Sequence, residues 1–190
     1  KNMILKQLKK QTDTLHKKTE EDNLAKYILD HSIDKETYKR LLQQNYLAYA
    51  RIDALLASNS STLTAELKPF ADKAKSNALA EDLKRLNAEI PQVDPVKDSY
   101  SAAFLLGLIY VVEGSMMGGL LIRKNLEACS HLEDIEQHHF FGKSAPEVMQ
   151  RWKAFTQAVE SKTYTEEEQQ QAVDGAHTAF NIFKDSYSYA

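Results

Sequence analysis

Hydrophobic residues recur every three or four positions along most of this chain, which is the spacing of helices that bury one face. No stretch alternates hydrophobic and polar residues as a half-buried strand would, and six glycines and four prolines leave little turn chemistry for hairpins. The pattern therefore predicts an all-α fold, a bundle of roughly six to eight helices.

Several predicted helices are marked by a capping residue at their start. Asp34 precedes a helix predicted over about 35–56. Ser144 and Thr165 are each followed three residues later by a glutamate, which is the capping-box signature, so each should begin a further helix. Amphipathic spacing alone predicts three more helical segments, at about 3–21, 64–75 and 79–89.

One predicted helix is much more apolar than the others. It begins near Asp94-Pro95 and extends toward Cys129, and its residues 102–122 are nearly all apolar. A membrane span is the alternative for such a stretch, but Glu113 would then lie near the middle of the bilayer, where a charge is costly. We therefore expect a buried core helix and no membrane association.

Length and charge restrict the classes of protein that fit. A chain of 190 residues can bury a full core, so residues 1–190 are predicted to form a single domain. Lysine and arginine number 24 against 27 aspartates and glutamates, and the net charge of -3 gives no reason to expect a nucleic-acid partner. The lone Cys129 cannot form an internal disulfide, and the first residues lack the apolar segment of a signal peptide, so we expect a cytoplasmic protein.

The first predicted helix carries a histidine on its apolar face. His16 lies in line with Leu5 and Thr12, so its side chain is predicted to point toward the core. Lys9 lies two turns earlier, roughly 10 Å along the axis, a separation that suits an iron and a carboxylate of one flat macrocycle. Glu20 lies one turn later and could orient the imidazole directly or through water. Each residue taken alone also fits an ordinary structural or solvent-exposed role.

The long apolar helix has a strip without side chains. Gly107, Gly114 and Gly118 lie within about 40° of one another around its axis. Close packing of a neighbouring helix is one explanation for such a strip. The pairs Gly114-Ser115 and Gly118-Gly119 favour a kink instead, and a kinked, open face opposite a buried histidine would form a slot for a planar cofactor.

Together the two motifs resemble the haem oxygenase family, particularly its bacterial biliverdin-producing branch. The segment from Leu8 to Glu20 resembles the family's proximal helix, and the segment from Tyr110 to Gly119 resembles the distal helix of its bacterial members. Both occur in the family's order and spacing, over nearly the whole chain. Smaller similarities lie at Tyr38-Lys39, Tyr46, Tyr49, Phe141-Gly142, Trp152 and residues 175–180.

The resemblance implies a single-domain helix bundle of the haem-oxygenase type, with haem between the first helix and the kinked glycine-rich helix. His16 would be the ligand of the haem iron, with Glu20 beside it. Lys9 would pair with a haem propionate, and Arg151 and Lys153 lie in the region of further basic contacts.

On the opposite side of the haem, the resemblance implies a distal wall made by the glycine-rich helix. Gly114, Ser115 and Gly118 would face the reacting oxygen, with Gly119 and Tyr110 as further haem contacts. Mammalian members carry an aspartate where this chain has Ser115, and that carboxylate organises the water network that delivers protons. Bacterial members share the serine, so Ser115 with bound waters is the expected substitute.

The resemblance further implies an enzyme that cleaves haem with O2 and external electrons to biliverdin, carbon monoxide and ferrous iron. Haem would be both substrate and cofactor, a ferredoxin or reductase would supply electrons, and a phytochrome is an example of a biliverdin acceptor. One alternative is a haem-binding or haem-sensing protein without turnover, which Ser115 leaves open. Another is a non-haem di-iron helical oxidase, built on the pairs Asp13/His16, Glu136/His139 and Asp174/His177.

Overall fold

The computed structural model describes residues 3–190, and these form seven α-helices and two short 3₁₀ turns, without a strand. The prediction of an all-α fold is therefore confirmed. The helices are α1 (Met3–Glu20), α2 (Lys26–Leu29), α3 (Lys35–Ser58), α4 (Ala74–Arg85), α5 (Ala102–Leu126), α6 (Ala145–Glu160) and α7 (Glu166–Ser186). The 3₁₀ turns lie at Lys68–Phe70 and Ser130–Leu132.

Helix α5 lies at the centre of the molecule and packs most extensively against α7. The two backbones approach closely at a reciprocal pair of glycines. A Cβ on Gly107 of α5 would lie 1.9 Å from the carbonyl oxygen of Ala172, and one on Gly175 of α7 would lie 2.0 Å from that of Phe104. Gly107 therefore serves close helix packing, which is one of the two explanations that the sequence allowed.

Helix α1 also packs against α7, through a face on which Ile4, Leu8, Thr12 and Thr19 are buried. The two threonine hydroxyls are satisfied within the helix. Thr12 donates to the carbonyl oxygen of Leu8 at 2.7 Å, and Thr19 donates to that of Leu15 at 2.8 Å. These threonines can therefore lie on the inner face without an unpaired polar group, and the neighbouring strip of α1 lines a cavity.

The predicted capping residues begin the helices that they were expected to begin. The Asp34 carboxylate accepts the N–H of Thr37 at 2.8 Å at the start of α3, and the Ser144 hydroxyl caps α6. Thr165 forms a complete capping box with Glu168, because each side chain accepts the backbone N–H of the other residue. These side chains satisfy N–H groups that have no partner inside their own helices.

Replacing Thr165 by alanine is expected to lower the free energy of unfolding by about 1 kcal/mol, because the first turn of α7 loses its side-chain acceptor. Urea denaturation followed by far-UV circular dichroism would measure the change. Thr163→Ala is the matched control, since Thr163 is exposed and precedes the cap by two residues. Equal losses in the two variants would contradict the capping role.

The segment predicted as a helix over about 64–75 is instead a series of turns. It contains the 3₁₀ turn at Lys68–Phe70, with Pro69 at its start, and α4 begins at Ala74. Proline lacks the N–H that continues a helix and restricts the residue before it. Lys73 adopts a left-handed backbone with φ of 60°, which interrupts the helical path directly before α4. The prediction for this segment is therefore wrong, and the next helix begins earlier than expected.

The long apolar helix begins later than expected. Its predicted start near Pro95 is wrong: the chain directly before residue 102 is not helical, and the side chain of Asn59 holds it there. The Asn59 amide nitrogen donates to the Asp98 carbonyl oxygen at 2.9 Å, and its amide oxygen accepts the Tyr100 N–H at 2.8 Å. The helix therefore starts only after Ser101, whose hydroxyl caps it.

Within residues 3–190, α5 is the one helix long and apolar enough to cross a membrane. More than half of its most apolar stretch, 56%, is buried inside the molecule, where α6 and α7 pack on it. Its one acidic residue, Glu113, is 2% exposed. This is the arrangement of the core helix of a soluble protein, as the sequence predicted.

Candidate functional site

A cavity of about 700 Å³ lies between α1 and the second half of α5. Segments from α2, α3, α6 and α7 and the residues before α6 complete its walls. Its size is within the range of ordinary small-molecule sites, roughly 300–1,000 Å³. The residues predicted for the site that line this cavity are Lys9, His16, Glu20, Tyr110, Gly114, Ser115, Gly118 and Gly119.

His16 lies on the side of the cavity formed by α1. Its side chain is 57% exposed, so the expectation that it points into the packed core is corrected, and the ring faces the open cavity instead. The imidazole stacks on the Phe180 ring of α7, with 5.2 Å between ring centroids and 27° between planes. Its Nε2 atom lies 3.7 Å from Oε1 of Glu20. A histidine with a carboxylate beside it is a common arrangement for a metal ligand.

The glycines of α5 divide into different roles. A Cβ on Gly118 or Gly119 would have no neighbour within 4 Å, so these two residues leave the helix backbone open to the cavity. Gly114 lies under the Trp152 ring, where a Cβ would make an ordinary contact at 3.6 Å. Helix α5 continues without interruption through both glycine pairs, and the kink expected there stays a prediction.

Ser115 forms a short hydrogen-bonded chain with Tyr49 of α3. The Ser115 hydroxyl donates to the Val112 carbonyl oxygen at 2.8 Å, and its Oγ lies 2.6 Å from the Tyr49 hydroxyl. Because a serine hydroxyl carries a single proton, the Tyr49 hydroxyl must be the donor between the two. Burial raises the pKa of Tyr49 above its ordinary value, although the bond with Ser115 opposes this, so the phenol keeps its proton near neutral pH.

Three lysines lie at the edge of the cavity, and the sequence had identified one of them. Lys9 was predicted, whereas Lys26 of α2 and Lys143 before α6 were not. Their positions depend on how the short helix and the loop pack, which the helical periodicity of the sequence does not report. Lys9 could be identified because it lies two helical turns before His16, whereas Lys26 and Lys143 have no regular spacing to that histidine.

Arg151 and Lys153 do not line the cavity, and the expectation that they contact haem propionates is corrected. The Arg151 guanidinium donates to the Glu113 carboxylate at 2.8 and 3.0 Å and to the Asp72 carboxylate at 2.9 and 3.1 Å. These four bonds hold the guanidinium away from the cavity lining. Lys153 lies on an exposed face of α6.

The described residues offer no ligand set for the di-iron alternative. Among residues 3–190, no three histidine, cysteine, aspartate or glutamate side chains gather closely enough to hold a metal ion. The histidine of one predicted pair is already engaged, since Nε2 of His177 lies 2.8 Å from the Gln11 carbonyl oxygen.

The residues around the cavity fit a haem. One histidine faces an apolar space, lysines stand at its edge for carboxylate groups, and the open backbone at Gly118-Gly119 admits a flat ring. The fold and the cavity are thus those of a helical protein with a site suited to a haem.

Comparisons with known proteins agree with this class. The family model described as "Heme oxygenase" matches residues 2–188. "Heme oxygenase PigA" of Pseudomonas aeruginosa is 29% identical over 154 residues, which cover 80% of this chain and 76% of that protein. "Heme oxygenase" of Xanthomonas campestris pv. campestris is 28% identical over 155 residues, which cover 80% of this chain and 88% of that protein.

Two solved structures share the fold. The heme oxygenase of Leptospira interrogans superimposes with a TM-score of 0.75 at 20% identity, covering 97% of this chain and 98% of that one. The NO- and CO-bound heme oxygenase of Neisseria meningitidis gives a TM-score of 0.71 at 22% identity, covering 98% and 93%. The chain therefore belongs to the haem oxygenase family, whose enzymes cleave haem to biliverdin, carbon monoxide and iron.

Proposed function

We propose that the cavity between α1 and α5 is the haem site of this enzyme, that His16 holds the haem iron, and that O2 is the co-substrate. The supporting observation is that His16 and the open pair Gly118-Gly119 face one cavity from opposite helices. Bound there, haem supplies both the iron at which O2 is activated and the ring that is cleaved. Haem thus acts as substrate and as cofactor.

On the α1 side, the chain fixes the orientation of one imidazole. The Phe180 ring stacked on His16 limits rotation of the side chain. Oε1 of Glu20 lies 3.7 Å from Nε2 of His16, which is longer than a hydrogen bond, so the carboxylate would orient the imidazole through one water.

On the α5 side, the chain offers an open backbone and a polarised pair of hydroxyls. Gly118 and Gly119 let a flat group approach the helix. The Ser115 hydroxyl donates its proton to the Val112 carbonyl oxygen of its own helix. Its oxygen therefore acts as the acceptor for the Tyr49 hydroxyl, which donates the proton of that hydrogen bond. We infer that this pair, with bound water, organises proton delivery where mammalian members use an aspartate.

Lys143→Ala is expected to weaken haem binding by about tenfold or more, because a hydrogen bond to a charged group such as a propionate contributes about 1.5–3 kcal/mol. Titration of the protein with hemin would give the dissociation constant. Lys153→Ala is the matched control, since Lys153 does not line the cavity and lies exposed on α6. Similar affinities for the two variants would remove Lys143 from the propionate site.

The partners follow from the reaction. The family model matches residues 2–188, so we infer that these residues act as one haem oxygenase-like domain. We propose that a ferredoxin or reductase supplies the electrons, as the resemblance to the family implies. Cys129 is buried with a free thiol, which supports a reducing compartment, the cytoplasm. Biliverdin would pass to an acceptor such as a phytochrome.

A titration followed by turnover tests the proposal. Hemin added to the purified protein should give a Soret band at one equivalent, and reductant in air should then convert that band to the spectrum of biliverdin. A stable oxygenated complex without biliverdin would indicate a haem sensor, and absence of a Soret band would remove the haem site.

A further inference from the structure

Four charged side chains form a cluster around Glu113, the residue directly before Gly114 in α5. We call Asp72, Lys75, Glu113 and Arg151 the Glu113 cluster. The Glu113 carboxylate receives Lys75 Nζ of α4 at 2.6 Å, and Arg151 of α6 through Nε at 2.8 Å and Nη2 at 3.0 Å. Arg151 also binds Asp72, so two positive and two negative charges balance.

Two members of the Glu113 cluster are buried, where charge is expensive, whereas the side chains of Arg151 and Asp72 are 30% and 43% exposed. The side chains of Lys75 and Glu113 are 9% and 1% exposed. Burial lowers the pKa of Lys75, and the adjacent Glu113 carboxylate opposes this change. Burial also lowers the pKa of Arg151, but bonds to Asp72 and Glu113 outweigh it and raise the pKa above its ordinary value. Since apolar residues of similar size often stabilise such a position equally well, stability alone does not explain the charges.

The charged contacts fix the orientation of the Glu113 side chain. A carboxylate held by three donors from two other helices is fixed in both position and rotation. Because Glu113 is part of α5, the same bonds fix how that helix is turned about its axis. Apolar packing would allow the helix to slide or rotate at lower cost.

Two neighbouring residues, Trp152 and Ser115, connect the Glu113 cluster to the cavity. Trp152 follows Arg151 in α6, and its ring covers Gly114 and lines the cavity. Ser115 follows Gly114, and its 2.6 Å bond to the Tyr49 hydroxyl tolerates little displacement. The cluster therefore holds both the Gly114–Ser115 segment and the ring that packs on it.

We propose that Lys75, Glu113 and Arg151 are positioning residues that hold Gly114 and Ser115 in their place on the distal wall. They line no part of the cavity, and they act through the rotation of α5 and the placement of Trp152. The inference rests on the proposed haem site, because the position of this wall affects the reaction only if haem binds in the cavity.

Two variants and one control test the assignment. Glu113→Gln removes the charge at nearly constant size. The triple variant Lys75→Met, Glu113→Leu, Arg151→Met replaces the ion pairs with apolar residues and keeps a folded protein in the experiment if the single variant unfolds. Glu81→Gln with Arg85→Met is the control, since this exposed ion pair lies on α4 outside the cluster.

Trp152 is the one tryptophan of the sequence, so its fluorescence reports the wall without haem. In the haem-free variants we expect its emission to move to longer wavelength and its quenching by acrylamide to rise. With hemin, we expect turnover to fall by about 100-fold while the hemin dissociation constant changes less than about threefold, because a displacement near 1 Å affects reaction far more than binding. The control should match the unsubstituted protein in every measurement.

Other results would overturn the assignment. A folded triple variant with unchanged Trp152 emission and unchanged turnover would show that apolar packing positions the wall equally well. Parallel losses of hemin affinity and turnover would show that the cluster only maintains the cavity. If the unsubstituted protein gave no Soret band, the proposed haem site would fall, and the haem-free fluorescence would still decide whether the cluster holds the segment.

Discussion

Replacement of His16 by alanine is expected to abolish conversion of haem to biliverdin while the protein stays folded. The imidazole supplies the proposed iron ligand, and the described residues place no second histidine on the cavity wall. The side chain is 57% exposed and its main contact is the stacked Phe180 ring. Loss of such a ring contact costs about 0.5–1.5 kcal/mol, which a folded domain tolerates.

The Soret maximum, the yield of biliverdin and a thermal melt would be compared for the two proteins. His131→Ala is the matched control, because His131 is an exposed histidine in the turn after α5. Free imidazole should restore part of the spectrum of the His16→Ala protein by occupying the vacated space. Unchanged turnover in His16→Ala would contradict the assignment of the iron ligand.

Gly107→Ala is expected to destabilise the fold by about 3 kcal/mol or more, because the new Cβ would overlap backbone that cannot move cheaply. That Cβ would lie 1.9 Å from the Ala172 carbonyl oxygen and 2.8 Å from the Ala176 backbone nitrogen. Separation of α5 from α7 would be needed to relieve the overlap. Each lost kcal/mol should lower the melting temperature by about 2–4 °C in a chain of this size.

Gly118→Ala is the comparison, since it makes the same change on the same helix in open space. Replacing an interior helical glycine with alanine should stabilise the free protein by about 0.5–1 kcal/mol. The added methyl group would lie on the cavity wall, so hemin affinity should fall. Calorimetry and hemin titration would separate the two effects. A similar loss of stability in both variants would contradict the division of the glycines into packing and cavity roles.

Local signals in the sequence were sufficient for much of the fold. Asp34, Ser144 and Thr165 marked helix starts because a cap is decided within one turn of chain. The start of α5 was missed because Asn59, the residue that follows α3, holds the preceding chain from about forty residues away. Contacts of that range leave no periodic trace in the sequence.

The candidate site shows the same division. His16, Lys9 and Glu20 were identified because a single helix spaces them regularly. Arg151 was assigned to the wrong partner, since its contacts with Asp72 and Glu113 join segments that are distant in sequence. A basic residue in the right region could be recognised, but the direction of its side chain depended on the packing of α6 against α5.

The polarity of the Tyr49–Ser115 bond bears on how family members can differ at this position. Ser115 acts toward Tyr49 as a hydrogen-bond acceptor, and an aspartate would be an acceptor there too. Exchange between the two residue types would thus keep an acceptor for the phenol, while it would add a negative charge and remove the hydroxyl's bond to the Val112 carbonyl oxygen.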